Sequence, residues 1–155
     1  MSGMHELAAS IEKTAEALAT VLDPAGCAHL APVSPAQLRV LLLLRAQPTL
    51  NVNGLAEELR VVASSASRLC DRLEALGLIS RVPDPRDRRE MQLPLTAEAN
   101  ALLDELGRYR RSALETVLAA MPAESRRDLA RSLSAFSQAS VELSSAPTDL
   151  IRRSA

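Results

Sequence analysis

Between Pro83 and Met91 the chain places Arg86, Arg88 and Arg89 around Asp87, on a segment stiffened by Pro83 and Pro85. A short, rigid cationic loop suits a phosphate backbone or the narrow minor groove of a duplex. Arg86 lies nearest the tip and is the groove-entering candidate. Asp87 is out of place in a phosphate-seeking loop unless it orients Arg88 or Arg89 through a charge-assisted hydrogen bond. A solvated turn is the plainer account of the same residues. What favours DNA is a second polar surface just upstream, formed by Ser64, Ser65, Ser67, Arg68, Asp71 and Arg72. Small hydroxyls near a helix start let the backbone approach a groove closely, and an arginine one turn later can reach guanine or phosphate. Taken alone, that face reads as an ordinary solvated helix; the adjoining arginine loop shifts the balance.

The elements that would carry these residues follow from apolar spacing. Val62, Ala66, Leu69, Leu73 and Leu76 recur at helical intervals and Gly77 stands where a helix end needs glycine, so residues 63–76 are expected to form a recognition helix. Before it, Asn51 can cap a short helix with Val52, Leu55, Ala56 and Leu59 turned inward, making a helix-turn-helix. After it the period becomes alternating. Ile79 to Val82 and Met91 to Leu95, with Met91, Leu93 and Leu95 on one face, are expected to be the strands of a hairpin of two or three strands tipped by the arginines. Pro94 lacks an amide hydrogen and is expected where its strand has no partner on that side.

Further out, Leu7, Ile11, Ala15, Leu18 and Leu22 mark an amphipathic helix over 5–22 with one buried stripe, stopped by Asp23-Pro24. Ser34-Pro35 resembles an N-cap with proline in the first turn, starting a helix to about Ala46 whose five leucines imply burial on most sides. Thr96 caps a long helix reaching Met121, Pro122 interrupts it, and a last helix runs from about Ala123 to Leu143. The tail from Ser144 has no period and is expected to fray.

Composition sets the frame. With 155 residues, 47% of them hydrophobic, the chain can bury one ordinary core, and it reads as a single mostly helical (α+β) domain over 1–155. Tyr109 and Phe136 are the only aromatics, so the core must be aliphatic. Net charge is −1, yet residues 60–89 hold seven arginines against four acids, a local +3, while the remainder carries −4. A basic third within an acidic frame points to a polyanionic partner. Lys13 is the only lysine, a bias that arginine's fork or genome base composition explains equally well.

Cys27 and Cys70 are isolated, as are His5 and His29, which excludes paired zinc spacing and a secreted disulfide framework. Cys70, beside the buried stripe, reads as a small hydrophobe, and nothing near Cys27 marks a reactive thiol. No cofactor is expected. No apolar run approaches the roughly 20 residues that cross a bilayer, so neither a membrane span nor a signal peptide is expected, and a reducing cytoplasm fits. A Gly-rich phosphate loop, a nucleophile motif and a metal cluster are all missing, which counts against an enzyme. A winged helix that binds protein instead of DNA is opposed by the arginine loop.

In order, AQLRVLLLL, NGLAEEL, ASSASRLCDRLEALGLISR, DPRDRR and LTAEANALL succeed one another along segment 36–103. That succession resembles the MarR family. Arg68-Leu69, Asp71 to Glu74, Gly77-Leu78 and Asp84 to Arg89 carry the likeness most specifically. It implies a winged helix-turn-helix DNA-binding lobe (36–96) and a helical dimerisation region (5–22 plus 97–143). The implied function is a homodimeric regulator of transcription, typically a repressor on a pseudo-palindromic operator of double-stranded DNA and often released by a small-molecule effector. On matching positions, Ser64, Ser65, Ser67 and Arg68 would read the major groove and Arg72 would touch phosphate. Arg86 would enter the minor groove, with Arg88 and Arg89 on the backbone and Asp87 bracing them. Three positions depart from the pattern. Arg60 stands for the usual glycine of the turn, Val62 for a hydroxyl cap and Gly54 for an acid, which leaves the register of the recognition-helix start open.

Overall fold

The computed structural model describes residues 2–22, 33–85 and 90–145. It divides into two compact units, Met1–Ser112 and Ala113–Ala155. The described residues form six helices and one two-stranded antiparallel sheet: α1 (Ser2–Val21), α2 (Pro35–Ala46), α3 (Val52–Leu59), α4 (Ala63–Ala75), β1 (Val82–Pro83), β2 (Met91–Gln92), α5 (Ala97–Ala119) and α6 (Ala123–Ser145).

Local chemistry sets most of these boundaries. Ser34 caps α2 through a reciprocal box: the Gln37 amide donates to Ser34 Oγ at 3.3 Å, and the Ser34 amide donates to Gln37 Oε1 at 2.7 Å. Asn51 caps α3, its Oδ1 accepting from the Gly54 amide at 2.8 Å. A Cβ at Gly54 would lie 2.7 Å from Leu50 Cδ2, so Leu50 packs where a side chain would otherwise stand. At the end of α4, Gly77 takes φ +70°. The Leu78 amide then reaches Leu73 O at 2.9 Å and the Gly77 amide reaches Glu74 O at 2.9 Å, the paired bonds of a Schellman close.

The core of the first unit lies between α2, α3, α4, the base of the hairpin and the first half of α5. Leu41, Leu44, Leu55, Leu73, Leu93 and Leu106 are fully buried there. Buried aliphatic side chains of this size contribute roughly 1.5–3 kcal/mol each, which makes this cluster the main reason the elements hold together. On α2, Leu38, Val40, Leu41 and Leu44 face the core while Leu42 is exposed, so burial covers a broad face and not the whole surface.

Two expectations are corrected. The α1 stripe is not buried: Leu7, Ile11 and Leu18 are exposed, and only Val21 and Leu22 are partly covered. The helix also begins at Ser2, before the stripe that the spacing reveals. Pro94, expected to have no partner strand on its amide side, faces Ser80 in the ladder and accepts the Ser80 amide hydrogen at 3.1 Å. Because proline can return no bond, that rung is single. Regular pairing is therefore confined to Val82–Gln92 and Pro83–Met91, with a separate bridge at Ile79–Leu95. In α6, within the second unit, every described side chain from Ala123 to Leu143 is exposed.

Candidate nucleic-acid interface

α3 and α4 are joined by a turn of three residues, Arg60 to Val62. Arg60 adopts φ 55° and ψ 45°, the left-handed conformation for which glycine is the usual occupant. Two bonds secure it: the Arg60 amide donates to Glu57 O and the Val61 amide to Ala56 O, both at 3.0 Å. Val62 is the N-cap of α4 and makes no side-chain cap bond, so the helix starts at Ala63 without the usual oxygen over its first turn. The first amides of a helix have no partner inside it. The Val62 side chain offers them no oxygen, and the Ser65 amide donates instead to Val62 O at 2.9 Å, so it is the amides ahead of Ser65, with the helix dipole, that face an external anion.

Along α4, Ala66, Cys70 and Leu73 are buried, which turns the opposite face outward. Ser64, Arg68 and Arg72 are exposed and lie at successive spacings of four, one above another along the helix; Ser65 and Ser67 are half-buried at its flank. The hydroxyls and both arginines thus share one side, as their spacing predicts. Arg86, Asp87, Arg88 and Arg89 lie outside the described residues, as do Cys27 and His29. Their stem is described up to Pro85, and the Asp84 amide donates to Glu90 O at 2.9 Å, which closes the stem one residue before the arginine segment.

Sequence spacing missed how this stem is fixed to the helices. Arg81 reaches from the hairpin to α4, its Nη2 donating to Asp71 Oδ1 at 2.6 Å and its Nη1 lying 3.3 Å from Glu74 Oε2. The hydrogen bond to Asp71 and both carboxylate charges hold the guanidinium more firmly protonated than an ordinary arginine, against a smaller opposing effect of burial. Asn51 Nδ2 donates to Glu90 Oε2, tying the other end of the stem to the cap of α3. Gln92 Nε2 donates to Asp84 Oδ2 at 2.9 Å within the hairpin. The available signal was Asp71 and Glu74 three residues apart on one helix face, with Arg81 the next cation beyond the glycine turn.

Cys70 lies on the inner face of the same helix, fully buried. Burial pushes its thiol above the ordinary value of 9.0; the Arg81 charge pulls the other way with less effect, and Asp71 and Glu74 reinforce the rise. No group of three or more histidine, cysteine or acidic side chains is arranged to hold a metal among the described residues. Nor is any described helix long and apolar enough to cross a membrane.

A separate cavity of about 210 Å³ lies between α2 and α5, bordered by Leu42, Arg45, Leu103, Asp104, Arg110 and Arg111. Arg45 pairs with Asp104 at 2.7 Å, while the Nε of Arg110 is buried with no hydrogen-bond partner.

The MarR family pattern matches residues 31–90. Over 126 residues the chain is 30% identical to the HTH-type transcriptional repressor MdtR of Bacillus subtilis, covering 80% of this chain and 81% of that protein. It is 33% identical over 106 residues to the HTH-type transcriptional regulator FarR of Neisseria gonorrhoeae, covering 66% and 71%. Among solved structures, a MarR family protein from Bacillus stearothermophilus superposes with a TM-score of 0.73 at 25% identity, covering 88% of this chain and 97% of that one. The YusO protein of Bacillus subtilis superposes at 0.67 with 29% identity, covering 87% and 97%.

Proposed function

The chain belongs to the MarR family of DNA-binding transcriptional regulators, and from that premise we propose that it represses transcription as a homodimer on a pseudo-palindromic operator. The winged helix-turn-helix would be the DNA-binding lobe (36–96), and the outer helices (5–22 and 97–143) would join two copies. The observation that carries the reading is the outward face of α4, where a helix start without a side-chain cap, Ser64, Arg68 and Arg72 line up on the helix that Asp71 and Glu74 join to the hairpin. Ser64, Ser65, Ser67 and Arg68 would read the major groove and Arg72 would hold phosphate. Arg86 would enter the minor groove, and Arg88 and Arg89, braced by Asp87, would grip the flanking backbone. Two such lobes about 34 Å apart would meet successive major grooves on one side of the duplex. The exposed apolar stripes of α1 and α6 support pairing. Work on a cytoplasmic chromosome follows from that role.

Release by a small-molecule effector is supported by the α2–α5 cavity, where the unpartnered Nε of Arg110 and the neighbouring arginines would favour an anion. An anion seated between the recognition lobe and the long helix would alter the spacing of the two lobes, and with it the affinity for DNA.

The test is a fluorescence-anisotropy titration of the full chain against duplex from the region upstream of its own gene, repeated over a salt series. Affinity is expected to fall steeply with salt, as phosphate contacts demand. Replacing Arg68 or Arg86 with Ala is expected to weaken binding by about 1–3 kcal/mol, roughly fivefold to 150-fold. Salt-independent binding, or none to any duplex, would overturn the proposal.

A further inference from the structure

We infer that Arg81 is a positioning residue for DNA recognition: held at once by Asp71 and Glu74 of α4, it fixes the base of the hairpin to the recognition helix so that the two engage the duplex as one body. The inference rests on the DNA-binding reading above and extends it to three residues that make no contact with DNA in that reading.

Ile79 and Leu93 seat the base of the hairpin in the core, but its backbone adds little to fix the angle at which it leaves α4. Two strands alone are marginal in water. The register runs unbroken from Leu78 opposite Thr96 to Asp84 opposite Glu90, but its base is thinly bonded. At the Ser80–Pro94 rung only the Ser80 amide donates, since proline has no hydrogen to return. At the next rung toward the helices the Leu78 amide is already committed to Leu73 O in the α4 close, so Leu78 can only accept there, from Thr96. Arg81 emerges beside these single-bonded rungs and spans to α4 with two different nitrogens on two different carboxylates. A planar guanidinium held at both ends resists rotation in a way that a single contact does not. Its side chain is 29% exposed, whereas the α6 pair Arg131–Asp128 involves an arginine 81% exposed. The contrast lies in the arginines, since Asp71 and Asp128 are each 55% exposed, and it is the grip on two carboxylates at once that sets Arg81 apart from a single surface pair.

The cluster also has an electrostatic side. Asp71 and Glu74 are the acids of α4 and sit in the helix that is to meet phosphates. Removing their negative charge would, by Coulomb attraction alone, tighten binding to every duplex; a fastening predicts the opposite for the correct duplex. The sign of the effect therefore distinguishes the two.

The experiment uses the full-length protein, a duplex selected by it from a random library and a scrambled duplex of the same composition, with the ratio of the two affinities as readout. For Asp71→Asn combined with Glu74→Gln, the ratio is expected to fall about tenfold while affinity for the scrambled duplex holds or rises. Arg81→Lys keeps the charge but loses the fork, and is expected to lower the ratio by a smaller factor. In the double variant, Arg86→Ala is expected to cost less than in the wild type, because a hairpin freed from α4 has already lost part of its engagement. A ratio unchanged in the charge-neutralised protein, or an undiminished Arg86→Ala penalty, overturns the inference. Should the double variant fail to fold by circular dichroism, Arg81→Lys decides alone, and an unchanged ratio overturns it. If the wild type selects no duplex at all, it is the DNA-binding reading that falls, and the fastening with it.

Discussion

Arg60 occupies a backbone conformation, φ 55° and ψ 45°, that costs an L side chain roughly 1–2 kcal/mol relative to the right-handed helix. It closes α3 and aims α4, so the turn depends on this geometry even though the residue disfavours it. Arg60→Gly removes the strain but adds freedom to the unfolded chain, and the two nearly offset; a net gain of about 0.5 kcal/mol is expected as a higher urea midpoint. Arg60→Val, branched at Cβ, should lose about 1 kcal/mol or more. A lower midpoint for the glycine variant would contradict the strain argument. Cys70 makes a different point. Its thiol value is raised by burial, so the folded state binds the proton more tightly than the unfolded state does. Its contribution to stability is therefore complete below the ordinary value of 9.0 and is lost as pH rises beyond it toward the folded value. In a Cys27→Ser background, Cys70 is expected to react with a thiol reagent at pH 8 at least about a hundredfold more slowly in the native protein than in urea, because attack requires the thiolate and access to it. Comparable rates in the two states would show that the site is open.

Thr96 shows how one side chain can join two elements. Its Oγ1 accepts from the Ala99 amide at 3.2 Å, capping α5, and lies 2.8 Å from Gly77 O, while its own amide donates to Leu78 O at 3.1 Å. Thr96→Ala is expected to cost about 1–2 kcal/mol in chemical denaturation and Thr96→Ser far less; equal losses would assign the effect to the methyl group instead of the hydroxyl. Caps of this kind explain why so many helix boundaries could be read directly from residue types. Ser34-Pro35, Asn51, Gly77 and Thr96 each set a helix end through bonds to near neighbours in the chain, and the structure puts all four where that chemistry requires. Legibility failed where the deciding partner is remote. Pro94 has a place in the ladder only because Ser80 comes opposite, and Arg81 has a role only because the Gly77 turn brings the hairpin back against α4. The exposed face of α4 could be derived from its buried stripe, whereas the tether between Asn51 and Glu90, 39 residues apart, left no local trace.

For the molecule as a whole, the unresolved demand is apolar surface. Leu133 is 57% exposed, Phe136 60% and Val141 65%, along a helix of 23 residues with no described side chain buried. On α1, Leu7 and Ile11 are likewise exposed, at 55% and 44%. A helix gains most of its stability by burying an amphipathic face, so stripes of this length left open argue for a partner surface. A second copy of the chain is the simplest supplier, because twofold pairing also yields the paired lobes that a palindromic duplex requires. Sedimentation of the purified protein is expected to give twice the chain mass, and Phe136→Asp with Leu133→Asp is expected to give the monomer with lower helicity. Losing the second lobe should cost about a hundredfold or more in operator affinity, since the second half-site would no longer be reached within one molecule. A wild-type monomer that retains full helicity and full affinity would mean that α6 needs no partner and that one lobe suffices.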